Sequence, residues 1–101
     1  MKEHVKIYFK AFGYDNSSFI QCERCLKPAV DICHIEPRGM GGSKELDRIE
    51  NLMAMCRDCH NYTEGQKSMK AGLFKQHWDY MMENKVTFNP EWLQLQIIKH
   101  G

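Results

Sequence analysis

Apolar residues recur at helical spacing near both ends of the chain and gather into short strand-like runs between them. Val5, Tyr8, Phe9 and Phe12 fall on one side of a helix over 3–12, and Gly13 follows as its stop. The stretch from Ala29 through Val30, Asp31, Ile32, Cys33 and His34 to Ile35 is short and rich in β-formers, and reads as a strand. Pro37, Gly39, Gly41 and Gly42 then force a loop, and Leu52, Met53, Ala54 and Met55 make a brief apolar run. A long amphipathic helix is predicted over 66–83, with Met69, Leu73, Phe74, His77, Trp78, Met81 and Met82 on one side. Asn89 and Pro90 read as an N-cap followed by a proline in the first helical position. They open a C-terminal helix over 90–99 that carries Leu93, Ile97 and Ile98.

Such a pattern predicts one small α+β domain spanning 1–101, because 101 residues leave no room for a second core. A chain this short often recruits a structural metal. With 43% hydrophobic and 27% charged residues, global disorder is excluded. The first ten residues carry charges throughout, unlike a signal peptide, and no stretch is apolar for long enough to cross a bilayer. These features predict no membrane association and a reducing, cytoplasmic compartment. Fourteen basic against thirteen acidic residues give a net charge of +1, so no basic tail announces a nucleic-acid partner. Lys2, Lys6 and Lys10 share a helical face, and Lys67, Lys70 and Lys75 form a second basic group. Both read first as solvated faces; phosphate contact becomes attractive only beside a located active site. His4 and His77 read as packing or helix-surface residues, and the Met and aromatic stripe as core.

Cys22 and Cys25 form one CxxC knuckle, Cys56 and Cys59 another. Four thiolates arranged tetrahedrally satisfy zinc completely and leave no open position for catalysis, so these four are the expected structural metal ligands. A disulfide pair does not suit a reducing compartment, and a redox CxxC lacks the βαβ pattern that usually accompanies it. The zinc would staple the start of the strand to the start of the helix that follows Cys56.

Between and after the knuckles lie HIEPRGMGGS (residues 34–43), Glu50-Asn51-Leu52, and Cys56-Arg57-Asp58-Cys59-His60. Taken together, this order resembles the HNH endonuclease family over roughly residues 20–66, particularly its small free-standing members with a four-cysteine zinc site. The resemblance implies a ββα-metal core flanked by N- and C-terminal helices, and hydrolysis of phosphodiester bonds in DNA, double-stranded by preference. It implies His34 as general base, Asn51 as the residue that holds loop and histidine in place, and His60 as a ligand of the catalytic metal. Glu64 matches a position that supplies a further ligand in some members. Arg38, Lys44 and Arg57 are candidates for contact with nucleic acid. The chemistry of His34 is consistent with this independently, since imidazole accepts a proton near neutral pH.

One position departs from the family pattern. Where members carry His or Asp immediately before the base, this chain has Cys33. Thiolate suits zinc and softer metals and suits Mg²⁺ poorly. Four readings stay open: Cys33 ligates a softer metal, Asp31 on the same strand face substitutes, the site is weakened, or Cys33 is a small apolar filler. The catalytic cation is accordingly left among Mg²⁺, Mn²⁺, Ni²⁺, Co²⁺ and Zn²⁺. A zinc-stabilised DNA-binding or scaffold module is the alternative to a nuclease, and a zinc ribbon for protein contact is a third reading. By analogy with phage-borne members, packaging or recombination proteins are candidate partners. Exposed parts of the two C-terminal helices could pair two copies into a homodimer.

Overall fold

Helix α1 (Glu3–Phe12) forms where its apolar spacing predicts. Gly13, at φ +73°, closes it in the left-handed region that glycine adopts without strain, and Tyr14 N donates back to Phe9 O at 2.8 Å. The computed structural model describes residues 1–39, 42 and 44–101; Met40, Gly41 and Ser43 of the predicted glycine loop lie outside the described residues. Among the described residues no helix is long and apolar enough to cross a membrane.

Strands β1 (Asp31–His34) and β2 (Leu52–Met55) pair antiparallel, with Asp31 opposite Met55 and His34 opposite Leu52. The ladder is shorter than the 29–35 run, because Ala29 N donates to Ile20 O instead of to β2. All four residues of β2 are buried. Its alternate side chains serve two clusters: Leu52 and Ala54 pack with Tyr8 of α1, while Met53 and Met55 join Cys33, Leu73, Phe74, Met81 and Leu93. A strand buried on both faces shows no polar alternation, which is why this segment reads only as an apolar run.

Helix α2 (Arg57–Thr63) starts at Cys56, whose Sγ accepts from Cys59 N. It ends at Thr63, and Glu64 caps it: Glu64 N still donates to His60 O at 2.9 Å with a helical φ of −61°, one turn on from His60, while its ψ of 127° turns the chain that follows out of the helix. A 3-10 turn (Lys67–Met69) then leads into α3 (Lys70–Glu83), so the α-helix proper begins four residues later than the predicted 66. Along α3, Leu73, Phe74, His77 and Met81 are buried. Met82 is 61% exposed, contrary to its place in the predicted stripe, because one residue beyond Met81 turns it about 100° off the core face. Helix α4 (Pro90–His100) opens on Asn89, whose Oδ1 accepts from Glu91 N and Trp92 N, and it packs against α3 with Trp92 edge-on to Phe74. The result is a small α+β fold with four helices and a two-stranded antiparallel sheet among the described residues.

Candidate active site and metal centre

Both knuckles are built by backbone. Cys22 N donates to Lys27 O, Leu26 N donates to Cys22 O, and Glu23 N donates to Ala54 O, which ties the first knuckle to the edge of β2. The second knuckle is continuous with β2 and caps α2. The Sγ atoms of Cys22, Cys25, Cys56 and Cys59 all lie within 4.8 Å of one another, with Cys25 and Cys56 at 3.6 Å. A tetrahedral thiolate site with bonds of about 2.3 Å separates its sulfurs by about 3.8 Å, so this cage fits a zinc ion. Among the described residues it is the one group of three or more potential ligands gathered that closely. All five cysteines are free thiols.

At the end of β1 away from the cage, His34 borders a cleft of about 370 Å³ together with Cys33, Arg38, His60 and Glu64. His34 Nε2 lies 2.7 Å from Asp47 Oδ1. This bond, ahead of the attraction of Arg38, holds the Asp47 carboxyl below the usual carboxylate range. Asp47 is therefore a carboxylate at neutral pH and can only accept, so Nε2 carries a proton, and it is Nδ1 whose lone pair is bare in the neutral ring. The ring of His4 on α1 sits 4.6 Å from that of His34. Burial, and then His34 itself, lower the pKa of His4, so it meets His34 as a neutral ring.

Asn51 is fully buried and spans the loop. Its Oδ1 accepts from Glu36 N at 2.8 Å, and its Nδ2 donates to Glu36 O and Leu46 O at 3.0 Å each. The residues just after His34 are thereby tied to those just before Asp47. Arg38 Nη1 reaches Asp47 Oδ2 at 3.4 Å. Gly42 (φ +60°) makes room for that guanidinium, since a Cβ there would come within 2.9 Å of Arg38 Nη2.

Strand alternation separates neighbours that the sequence places side by side. Ile32 and His34 face α1, while Asp31 and Cys33 face α2. His60 of α2 meets Asp31 there, Nδ1 to Oδ2 at 2.9 Å, and Arg57 Nη2 lies 3.6 Å from the other Asp31 oxygen. An ionised Asp31 accepting from Nδ1–H leaves His60 Nε2 for a cation, the carboxylate–histidine arrangement common around protein metals. Asp31 is placed behind His60 and does not border the cleft; Cys33 and Glu64 do. Burial, followed by the charge of Asp31, pushes the Cys33 thiol up to about 12, so it is protonated at neutral pH. The donors bordering the cleft are thus an imidazole, a carboxylate and a thiol. They suit a divalent cation bound by few protein ligands, with the remaining positions left to water and substrate.

Of the other candidates, Lys44 borders a second cleft with Arg38 and Asp47, next to the first. Arg57, 65% exposed, stands on the outer side of Asp31. Asp47 escaped the sequence reading. Its signal was slight, an acidic residue four positions before Asn51 in a stretch with no regular pattern. Glu23 and His77 also escaped as a pair, because 54 residues separate them.

An antiparallel pair of strands followed by a helix, clamped by four cysteines and carrying a histidine on strand and helix alike, defines a ββα-metal type of protein. Residues 22–65 match the family model described as HNH endonuclease. Neither a curated protein nor a solved structure matches the chain.

Proposed function

We propose that the protein is a metal-dependent endonuclease that hydrolyses phosphodiester bonds in DNA, with His34 as general base, and that residues 1–101 form a single nuclease domain. The observation that carries this reading is the His34–Asp47 bond. It holds by its Nε2 an imidazole that borders the same cleft as His60, leaving Nδ1 as the nitrogen that can take a proton. His34 takes the proton from the attacking water, and Asp47 stabilises the imidazolium that forms. Asn51 keeps the loop at the distance this transfer needs. His60, on the cleft that Glu64 and Cys33 also border, would hold a divalent cation together with water and substrate, and the cation would supply stabilisation of the charge developing on the phosphate. The four-cysteine cage has its coordination filled by thiolates, so its zinc is structural.

Incubating supercoiled plasmid with Mg²⁺, Mn²⁺, Co²⁺, Ni²⁺ or Zn²⁺ tests the proposal. At least one cation is expected to support cleavage by the natural chain, and His34→Ala is expected to abolish it. If plasmid stays intact with all five, the enzyme reading is lost. Asp47→Asn is expected to lower kcat by roughly 10²- to 10⁴-fold, the range of general-base catalysis, with little change in KM. An amide can donate to Nε2 and so favours the tautomer whose Nδ1 carries the proton. Unaltered kcat in this variant would remove Asp47 from the mechanism.

A second reading, a zinc-stabilised DNA-binding module with weakened catalysis, is favoured by the protonated Cys33 thiol at the ligand position. DNA binding without cleavage under all five cations would select it.

A further inference from the structure

Two of the three lysines in the second basic group come to the catalytic cleft. Lys67, in the 3-10 turn before α3, and Lys70, at the first position of α3, border it alongside His34, His60 and Arg38. Lys75 does not; it lies at a separate cleft with Trp78, Asp79 and Ile97. Lys67 and Lys70 both follow the segment 22–65 that matches the HNH family, so the family pattern assigns them no role.

We propose that Lys67 and Lys70 form a phosphate subsite of this cleft, gripping a backbone phosphate of the nucleic-acid strand beside the one that is cut. The inference rests on the nuclease reading and extends it to how substrate is held. Lys70 is only 14% exposed, and its Nζ lies 3.4 Å from Glu36 Oε1. That carboxyl group's Oε2 also lies 2.7 Å from His100 Nε2, without hydrogen-bond geometry. Lys70 is thereby held in place while keeping donors to spare, since an ammonium has three. Lys67 is exposed, and its side chain makes no hydrogen bond or ion pair among the described residues, so its ammonium is available to a ligand at the rim. The first turn of α3 adds to this field. Met69 offers it no side-chain cap, and a 14-residue helix carries partial positive charge at this end.

Cations concentrated in a partly enclosed cleft raise the local potential for a polyanion well above what the same charges do on an open face. The net charge of +1 therefore does not describe what substrate meets at this site. Arg38 supplies one cation from the loop and the two lysines supply others from the start of α3, against one acidic residue, Glu64, on the same lining. A strand with consecutive phosphates matches this arrangement, whereas a lone small anion would need only one of these groups.

Binding of a short fluorescent DNA duplex, measured over a range of salt concentrations in the His34→Ala background, tests the subsite without turnover. Lys67→Ala with Lys70→Gln is expected to weaken binding about tenfold and to reduce the salt slope by about one per lysine, while Lys75→Ala leaves both unchanged. In the cutting protein the same pair is expected to raise KM with kcat kept within a few-fold. Lys67→Ala alone, on an exposed residue whose loss does not threaten the fold, should reduce the slope by about one. Affinity and slope equal to those of Lys75→Ala would overturn the subsite even if cleavage is intact. A lysine-dependent slope in a chain that cuts with no cation would keep the subsite as a binding site and reject the nuclease. A chain that binds no DNA at all overturns both.

Discussion

Chelating the metal from the four-cysteine cage is expected to unfold the HNH segment, and Cys59→Ser is expected to do the same without chelator. The cage joins three parts that share no other covalent link: the knuckle before β1, the end of β2 and the first turn of α2. Two of its members, Cys22 and Cys56, are also buried core residues. In small metal domains the metal contributes on the order of 10 kcal/mol to folding, as much as the whole stability of a typical domain, roughly 5–15 kcal/mol. Without a cation the thiols differ, and Cys59 keeps its proton at neutral pH. Burial opposes ionisation of Cys22, but donation from the backbone at Cys56, Cys25 and Arg24 outweighs it and brings the thiol down to about 7. Burial and the neighbouring thiols push Cys59 up. Filling the cage with metal must therefore release protons. The sign follows directly: acid competes with the metal, so affinity and stability fall together as pH drops. Circular dichroism and a metal-release dye, followed from pH 8 to pH 5, should lose helix signal and metal in one step. A metal-free protein with unchanged spectrum and melting temperature would refute the cage as a folding element.

His77→Leu is the second large effect, expected to cost about 3–5 kcal/mol, because it strands two buried polar groups at about 1–3 kcal/mol each. For a domain of this size that is a fall in Tm of roughly 15–30 °C. His77 and Glu23 have no exposed side-chain surface, and His77 Nδ1 lies 2.6 Å from Glu23 Oε1. The other ring nitrogen, Nε2, donates to Ile49 O at 2.6 Å, because a carbonyl can only accept. Glu23 Oε2 accepts from Tyr8 OH at 2.6 Å and from Ala54 N at 3.3 Å. One buried cluster thus ties α1, the first knuckle, β2, α3 and the turn that leads into Asn51. Leucine fills the space but leaves the carboxylate and the Ile49 carbonyl without their partner. Adding Glu23→Gln to His77→Leu should cost clearly less than the sum of the two single changes, the mark of a direct interaction. Strict additivity, or a Tm within a few degrees of the natural chain, would show that the pair holds nothing together.

How much of this was legible beforehand varies with the range of the interaction. The knuckles, α1, β1 and α4 follow from local spacing and end signals, and all lie within a few residues of their predicted bounds. The α+β class and the resemblance to the HNH family came from motifs a few residues long. Glu64 sits one turn on from His60, as their spacing implies, but spacing alone does not reveal that the helix stops at Thr63, whose Oγ1 bonds back to Cys59 O at 2.9 Å and leaves Glu64 as the cap. His4 and His77 were both read as packing residues. His77 does pack, but as one half of a buried side-chain pair whose other half lies in the first knuckle.

The sequence by itself determined which chemistry is available: four thiols in two knuckles, His34 before a glycine loop, Asn51 before an apolar run, and His60 beside Cys59. These are properties of residue type and short spacing, so one chain suffices to read them. Tertiary structure decided how the groups are used. It turned Asp31 and Cys33 toward α2 and His34 toward α1, because strand alternation sends neighbours to opposite faces. It brought Asp47 to His34, Asp31 to His60 and Lys67 with Lys70 to the cleft, none of which sequence distance encodes. Hydrogen bonds and charge act over a few ångströms in space, and only the folded chain sets those distances.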